Sequence, residues 1–286
     1  MMQKRTGAIE LTVHGRLSGD TFPIFIFYPS LGAEESVQKG PYSMQLAWNA
    51  PIAEGIFPIV VISHGSGGTP LGYRDLARTL ASNGYVVALP EHSGNSRNDN
   101  SLEGTDANLF KRPHHISEVI DAVLSSEAFG ASTDRTRIAV LGHSMGGYTA
   151  LAAAGGKPQN EAREPIEVQA DERIRALVLM APATPWLQGS GALDHITAPC
   201  LIFSAEHDAF TSSWHTDVVL NGYPDDVPIR HMPIANAGHF SFMSPFPKPL
   251  NQIPGFLPAQ DPEGFNRAEF QPKLAKEVMK FLAQTV

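Results

Sequence analysis

The pattern Gly-x-Ser-x-Gly occurs at residues 142–146, directly after the apolar run 138–141. A serine in this pattern after a strand is typical of a nucleophile elbow, a strand-to-helix turn so tight that small residues must flank the serine. Such a turn leaves the hydroxyl exposed above the sheet, so Ser144 is the candidate nucleophile for attack on an acyl carbonyl. The alternative interpretation is a glycine-rich turn that contains serine by chance.

A serine hydroxyl needs a base to take its proton, and histidine is the usual one. The chain has eleven histidines. Catalytic groups in an open α/β sheet follow the carboxyl ends of strands, and only His239 does so late in the chain, on a glycine-containing loop. His64 also follows a strand, but it lies on the loop expected to form the oxyanion hole. His92 is interpreted as loop scaffolding or pocket wall.

A carboxylate must orient the histidine and stabilise its cationic form. Asp208 ends the segment 204–208, directly after a predicted strand, and its rival Glu206 lies two residues earlier. We favour Asp208 because its position farther along the turn gives it reach to a neighbouring loop. Asp194 precedes its strand and is expected at the wrong edge of the sheet. The predicted order is therefore serine, aspartate, histidine.

Backbone N–H groups must stabilise the oxyanion of the tetrahedral intermediate. Met145, which follows the nucleophile, is expected to supply one, and Ser66 in the glycine-rich stretch 64–68 the other. A flexible glycine-rich loop is the alternative for that stretch, whereas a phosphate-binding loop would need a Lys-Ser/Thr pair that it lacks. His143 lies inside the elbow, where its backbone position matters most, and is counted with the residues expected to contact substrate.

Strand and helix patterns alternate along the chain and must position these groups. Continuous apolar runs predict strands at 57–63 and 85–90, and further strands are predicted at 138–141, 174–180, 200–204 and 229–234. Helical spacing predicts helices at 72–83, 114–126, 212–222 and 272–282, and one directly after the elbow, whose N-terminus points at the serine. The runs 11–13 and 23–28 predict an antiparallel hairpin at a sheet edge, followed by a long loop over 30–56.

These elements predict an α/β fold: a mostly parallel, doubly wound sheet with an antiparallel N-terminal edge hairpin and helices on both faces. At 286 residues, with 42% hydrophobic and 17% charged residues, the chain is expected to form a single domain over 1–286. We expect loop insertions at about 91–113, 182–197 and 241–262 to cover the active site in part.

Composition narrows the partners and the compartment. A formal net charge of −8 argues against nucleic acid and anionic membrane as partners. Cys200 is the only cysteine, so no intramolecular disulfide can form, and its apolar surroundings indicate a buried residue. Residues 1–10 lack the apolar core of a secretion signal, and no apolar stretch of membrane-span length occurs, so a cytoplasmic location is expected. No cofactor is indicated, and the oligomeric state is left open.

Four segments together resemble the α/β-hydrolase superfamily, in particular its dienelactone hydrolase-like and platelet-activating-factor acetylhydrolase branch. They are VVISHGSGG (60–68), LASNGYVVALPEHSGNS (80–96), IAVLGHSMGGYTAL (138–151) and APCLIFSAEHD (198–208). GHSMGG and APATPW are also similar to bacterial cutinases and polyester hydrolases. The resemblance implies a serine carboxylic-ester hydrolase with triad Ser144, Asp208 and His239 and oxyanion donors Ser66 and Met145.

By the cutinase likeness, Trp186 walls the acyl or aromatic subsite. One departure concerns the nucleophile, because dienelactone hydrolases use cysteine where this chain has Ser144. Dienelactone itself is therefore in doubt as a substrate.

The preferred hypothesis is an esterase that forms an acyl-enzyme on short to medium acyl esters, with a small-molecule ester as its partner. Amide, lactone or thioester cleavage by the same triad is one alternative, and a non-catalytic ligand-binding protein of the same fold is another. A metal hydrolase is the weakest rival. His114, His115 and Glu118 share a helix face, but the chain has no His-Glu-x-x-His motif.

Overall fold

A ten-stranded sheet forms the centre of the protein in the computed structural model, which describes residues 5–286. The strands are, in chain order, β1 (Arg5–His14), β2 (Thr21–Ser30), β3 (Glu35–Lys39), β4 (Tyr42–Trp48), β5 (Phe57–Ser63), β6 (Val86–Pro90), β7 (Thr133–His143), β8 (Ile174–Met180), β9 (Cys200–Ala205) and β10 (Ile229–Ile234). Their spatial order is β10-β9-β8-β7-β5-β6-β2-β1-β4-β3.

Six neighbouring strands, β10 to β6 in that order, run parallel. All seven residues of β5 and all five of β6 are buried, because helices cover both faces of this part of the sheet. The carboxyl ends of β5, β7 and β9 therefore open onto one edge, where the segments beginning at His64, Ser144 and Glu206 follow.

The predicted hairpin forms, with β1 and β2 antiparallel over their full length, and β2 pairs antiparallel with β6. The expectation of a long loop over 30–56 is wrong, because this segment contains β3 and β4. These two strands lie outside the hairpin, so the edge strand of the sheet is β3 rather than β1. The signal was present in β4, where buried Tyr42, Met44 and Leu46 alternate with exposed Ser43 and Gln45.

Within the described residues, six α-helices accompany the sheet: α1 (Arg74–Ser82), α2 (Asp106–Ser125), α3 (Met145–Ala153), α4 (Ser213–Gly222), α5 (Lys248–Asn251) and α6 (Arg267–Thr285). Two of them, α2 and α6, begin earlier than predicted. The prediction began each helix at or just after a proline, whereas Pro113 and Pro272 lie inside the helices. Side chains cap their true starts: Thr105 accepts from the Asn108 N–H and Asn266 from the Glu269 N–H. The irregular part of the predicted insertion 91–113 therefore ends at residue 105.

Two apolar clusters lie on the two faces of the sheet. One joins the sheet to α2, α3 and α4, and the other joins it to α1 and α6. Cys200 is fully buried at the start of β9, as expected. No helix within residues 5–286 is long and apolar enough to cross a membrane. Residues 1–4, part of the segment in which we expect no secretion signal, lie outside the described residues.

Candidate active site

Ser144 lies in the turn between β7 and α3 with φ 55° and ψ −120°. A non-glycine residue in this region is strained by about 1–3 kcal/mol, so its surroundings must hold it there. The Ser144 N–H donates to the Met180 carbonyl at 3.0 Å, and its own carbonyl accepts from the Gly147 and Ala183 N–H groups. The elbow is thus bonded to the chain that leaves β8.

The glycines on both sides of Ser144 are required by close backbone approach. A Cβ at Gly142 would overlap the Gly146 carbonyl, and a Cβ at Gly146 would overlap the Ser63 carbonyl at the end of β5. Gly147 has the same constraint against Pro182 at 2.6 Å. These contacts give a steric reason for small residues in the pattern that the sequence shows.

His239 and Asp208 form a buried pair, with the imidazole Nδ1 2.9 Å from the Asp208 Oδ2. Both side chains are less than 5% exposed. The other carboxylate oxygen, Oδ1, accepts from the Phe210 N–H at 2.8 Å and the Thr211 N–H at 2.7 Å. The Thr211 hydroxyl donates to Oδ2 at 2.8 Å. The turn after β9 therefore holds the carboxylate rigidly against the imidazole.

Burial alone would raise the pKa of the Asp208 carboxyl, but the hydrogen bonds from His239, Thr211 and Phe210 outweigh it and hold this pKa below its ordinary value. An ionised carboxylate only accepts hydrogen bonds, so the imidazole hydrogen lies on Nδ1. The Nε2 atom of His239 is then left as a proton acceptor, which is the state that a general base requires.

His143, the last residue of β7, connects the elbow to the loop of His239. Its Nε2–H donates to the His239 carbonyl at 2.8 Å, and its Nδ1 accepts from the Tyr73 hydroxyl at 2.7 Å. The side chain is 1% exposed, and burial lowers its pKa to about 3. Both ring nitrogens of His143 are thus already used inside the protein, which argues against a substrate contact through this side chain.

The stretch after β5 runs against Ser144, since a Cβ at Gly65 would lie 3.3 Å from the Ser144 Cβ. Ser66 follows, and its hydroxyl donates to Glu103 at 2.9 Å and accepts from the Asn95 amide at 2.9 Å. Met145 is the first residue of α3, where N–H groups have no partner within the helix. Side-chain bonds thus fix the Ser66 segment, and the helix start supplies the Met145 N–H.

Two aromatic side chains lie near the elbow and the base. Trp186, which is half-buried, packs edge-on against Tyr148 of α3 with 5.1 Å between ring centroids. Phe210, which the sequence reasoning missed, is 54% exposed, and its ring lies 5.0 Å from that of His239. The signal available in the sequence was the position of Phe210 two residues after Asp208, because residues of one turn lie close to one another and therefore close to the partner of Asp208.

The rival residues have other partners. Glu206 accepts from the Asn236 N–H at 2.8 Å and so holds the loop that leads to His239. Asp194 is exposed on the segment before β9. His115 bonds Asp20, and Glu118 accepts from the Ser18 N–H and hydroxyl, so both anchor the β1–β2 turn on α2. His114 bonds the Phe110 carbonyl. Within residues 5–286, no group of three His, Cys, Asp or Glu side chains is placed to hold a metal ion.

Four fully buried histidines, called the core histidines below, have lowered pKa values because burial disfavours the charged imidazole: His64 (about 3), His92 (well below its ordinary value), His115 (about 4) and His143 (about 3). His92 bonds the Ser63 hydroxyl and His115, so it belongs to the scaffold beneath the β5 loop. This agrees with the first of its two predicted roles, loop scaffolding rather than pocket wall.

Together these groups place a strained serine beside a helix N-terminus and a carboxylate-oriented imidazole on the adjoining loop. The sequence matches the model of the Alpha/beta hydrolase family over residues 59–196. A solved structure of a ferulic acid esterase from Streptomyces cinnamoneus superposes with a TM-score of 0.73 at 19% sequence identity, covering 100% of this chain and 90% of that one. This protein has the α/β-hydrolase fold. The predicted fold class is thereby confirmed.

The resemblance to cutinases and platelet-activating-factor acetylhydrolases is also confirmed. The chain is 27% identical over 194 residues to Cutinase est2 of Thermobifida alba, covering 67% of this chain and 55% of that protein. It is 22% identical over 261 residues to the platelet-activating factor acetylhydrolase of Cavia porcellus, covering 75% and 56%. The chain spans slightly more than half the length of these two curated relatives.

Proposed function

We propose that this protein is a serine hydrolase that cleaves carboxylic esters of short to medium acyl chains through an acyl-enzyme. The observation that carries the proposal is the buried His239–Asp208 pair, joined at 2.9 Å on the loops that flank the strained Ser144. The names of the similar proteins, a cutinase, an acetylhydrolase and a ferulic acid esterase, support ester cleavage as the reaction.

In the proposed mechanism, the Ser144 hydroxyl attacks the ester carbonyl while His239 Nε2 takes its proton. The carbonyl oxygen becomes an oxyanion that the Met145 and Ser66 N–H groups stabilise. His239 then protonates the leaving alcohol, and the acyl group remains on Ser144. Water attacks this acyl-enzyme with His239 as the base, which releases the carboxylic acid and restores the serine. Asp208 stays ionised and stabilises the imidazolium in both steps.

The apolar side chains around the site support an apolar acyl group as the preferred substrate part. Phe210 is exposed beside His239 and offers an apolar surface next to the proposed base, whereas Trp186 packs against Tyr148, four residues after Ser144 in α3. We propose that the segments 182–197 and 241–262 of this single domain cover the site in part and favour soluble esters over polymer surfaces. The cytoplasmic location stays a prediction.

The test is the Ser144→Ala variant, assayed for p-nitrophenyl butyrate hydrolysis and for labelling by a fluorophosphonate probe. We expect both to be lost while the circular dichroism spectrum is kept. Ser36→Ala is the matched control, since the exposed Ser36 hydroxyl of β3 bonds the Ser43 hydroxyl, far from Ser144 in the sheet order, and we expect this variant to retain both. Unchanged turnover in Ser144→Ala would refute the proposal.

Two further assays separate the alternatives with the same triad or the same fold. Rates on matched ester, amide, lactone and thioester substrates decide which bond is cleaved, and we expect the ester to be fastest. A wild-type protein that takes up no fluorophosphonate would instead support a ligand-binding protein without catalysis. Activity over acetate, butyrate, octanoate and palmitate esters measures the acyl preference.

A further inference from the structure

Arg112 of α2 is a fully buried cation whose described hydrogen bonds go to neutral oxygens only. Its Nε donates to the Thr149 hydroxyl at 2.9 Å and its Nη1 to the Asn95 side-chain oxygen at 2.7 Å. Its Nη2 donates to the Ser63 hydroxyl at 3.2 Å and to the His64 carbonyl. Burying a guanidinium without an adjacent carboxylate is costly, so its position calls for an explanation beyond packing.

One arm of Arg112 leads to the first proposed oxyanion donor. A guanidinium only donates hydrogen bonds, so Asn95 must turn its oxygen toward Arg112 and its NH₂ group the other way. That NH₂ group donates to the Ser66 hydroxyl at 2.9 Å. Arg112 Nη2 donates to the His64 carbonyl in the same segment, two residues before Ser66.

The opposite arm leads to the second donor. The Thr149 hydroxyl, which accepts from Arg112 Nε, donates to the Met145 carbonyl at 2.9 Å. Thr149 lies one turn after Met145 in α3, so this contact ties Arg112 to the first turn of that helix. One planar side chain thus joins the β5 loop and the α3 start, the two separate backbone segments that border the elbow.

A chain of neutral groups links Arg112 to Asp20, whose carboxylate also pairs with Lys111 at 2.6 Å. The Ser63 hydroxyl, which accepts from Arg112, lies 2.8 Å from His92 Nε2, and His92 Nδ1 lies 3.1 Å from His115 Nδ1. His115 Nε2 lies 3.0 Å from Asp20. Arg112 can only donate and an ionised carboxylate only accepts, so with one N–H on each imidazole every bond between them is directed from Arg112 toward Asp20.

This direction is consistent with neutral imidazoles, because each histidine then donates from one nitrogen and accepts at the other. Burial, with the Arg112 charge also acting, lowers the pKa of His92 and of His115, which keeps both neutral. Burial also lowers the pKa of Arg112, to about 9, so the guanidinium is still protonated near neutral pH. The positive charge of Arg112 therefore stays beneath the elbow, with no carboxylate among its described hydrogen-bond partners.

We propose that Arg112 is a positioning residue of the oxyanion hole, which sets the spacing of the Ser66 and Met145 segments and directs a positive charge at the developing oxyanion. This inference rests on the proposed function. It assigns Arg112 no contact with substrate. Its effect is expected on the transition state, where charge develops on the carbonyl oxygen, and hardly at all on ground-state binding.

The experiment compares Arg112→Met and Thr149→Val with the wild-type protein on p-nitrophenyl butyrate. We expect Arg112→Met to lower kcat by about a hundredfold or more with KM changed little, because the loss resembles that of an oxyanion donor. Thr149→Val removes one arm with little change of shape, and we expect a smaller fall of about tenfold. Because both act through Met145, the double variant should be no slower than Arg112→Met alone.

Inhibitor binding supplies a readout that a purely structural role would not change. An alkyl trifluoromethyl ketone forms a tetrahedral adduct with the serine, and its affinity should fall by the same factor as kcat/KM. The affinity of the matching unfluorinated ketone, which reports ground-state binding, should stay constant. Equal losses for the two ketones would overturn the proposal.

Arg173→Met is the matched control, since Arg173 lies just before β8, at the opposite edge of the sheet from the elbow, and pairs with Asp171 of the same segment and with Asp121 of α2. We expect it to lower the urea midpoint and leave kcat unchanged. If Arg112→Met fails to fold, Thr149→Val and its ketone affinities decide. A wild-type activity that depends on Ser144 but not on Arg112 or Thr149 refutes this inference alone, whereas activity independent of Ser144 refutes the proposed function.

Discussion

Replacing Asp208 by asparagine preserves the shape of the acid but should almost abolish activity. The carboxylate oxygen Oδ1 accepts two backbone N–H groups, from Phe210 and Thr211, at 2.8 and 2.7 Å. The asparagine oxygen must therefore stay at that position, because an NH₂ group there would face two donors. This forces the NH₂ group to the Oδ2 position, 2.9 Å from His239 Nδ1.

An NH₂ group at that distance donates to Nδ1, so the imidazole hydrogen moves to Nε2. His239 then has no free nitrogen that faces the nucleophile, and it cannot take the serine proton. The same tautomer error in a comparable serine protease lowers kcat by about ten-thousandfold, which corresponds to about 5 kcal/mol of activation free energy. We expect a loss of this size from Asp208→Asn.

The assay is kcat for p-nitrophenyl butyrate, with circular dichroism as the folding check. Asp208→Ala places no donor against Nδ1, so we expect it to be at least as active as the isosteric asparagine variant. Glu206→Gln is the control, because the glutamine oxygen can still accept from the Asn236 N–H, and its kcat should stay within about threefold of wild type. A kcat for Asp208→Asn above a tenth of the wild-type value would refute the reasoning.

Three other outcomes follow from the structure. Gly146→Ala should lower the free energy of unfolding by at least about 3 kcal/mol in urea titrations, because the new Cβ would overlap the Ser63 carbonyl. In the control Gly40→Ala the new Cβ meets open space, so the free energy of unfolding should fall by only about 1 kcal/mol, owing to the positive φ of Gly40. Phe210→Ala should raise KM for octanoate more than for acetate esters and leave kcat unchanged; equal KM changes would contradict an acyl contact. The core histidines become protonated near pH 6.5 in the unfolded chain, whereas the folded state keeps them neutral. The free energy of unfolding should therefore fall as the pH drops below about 6.5, by up to about 1.4 kcal/mol per pH unit for each core histidine. A urea midpoint that stays constant between about pH 7 and pH 5 would contradict this.

The centre of the parallel part of the sheet could be predicted from sequence because strands such as β5 and β6 are buried on both faces. A continuous apolar run of seven residues bounded by turns, such as β5, has the length of a strand rather than of a helix. Strands β3 and β4 were missed because they follow prolines and glycines that read as loop. The starts of α2 and α6 were missed because Pro113 and Pro272 suggested helix boundaries.

The residues of the candidate site were predictable where a strand end fixes their place. Ser144, Asp208 and His239 each follow a strand, and parallel strands end at one edge, so sequence order alone brings them near one another. The roles of His143 and Arg112 were not predictable in this way. Both act through side-chain contacts with segments distant in sequence, His143 with His239 and Arg112 with Asn95 and Thr149, and no local pattern encodes such contacts.

The two outermost strands, β3 and β10, leave a row of backbone groups unpaired at each end of the sheet. Such rows are templates on which a second molecule can add a strand, and this is a common route to aggregation. β10 carries Pro233, which has no N–H to offer, together with the charged Arg230, and the five-residue β3 carries Glu35 and Lys39. The protein can therefore keep an open sheet at high concentration, because neither edge strand offers a second molecule an uninterrupted apolar strand to pair with.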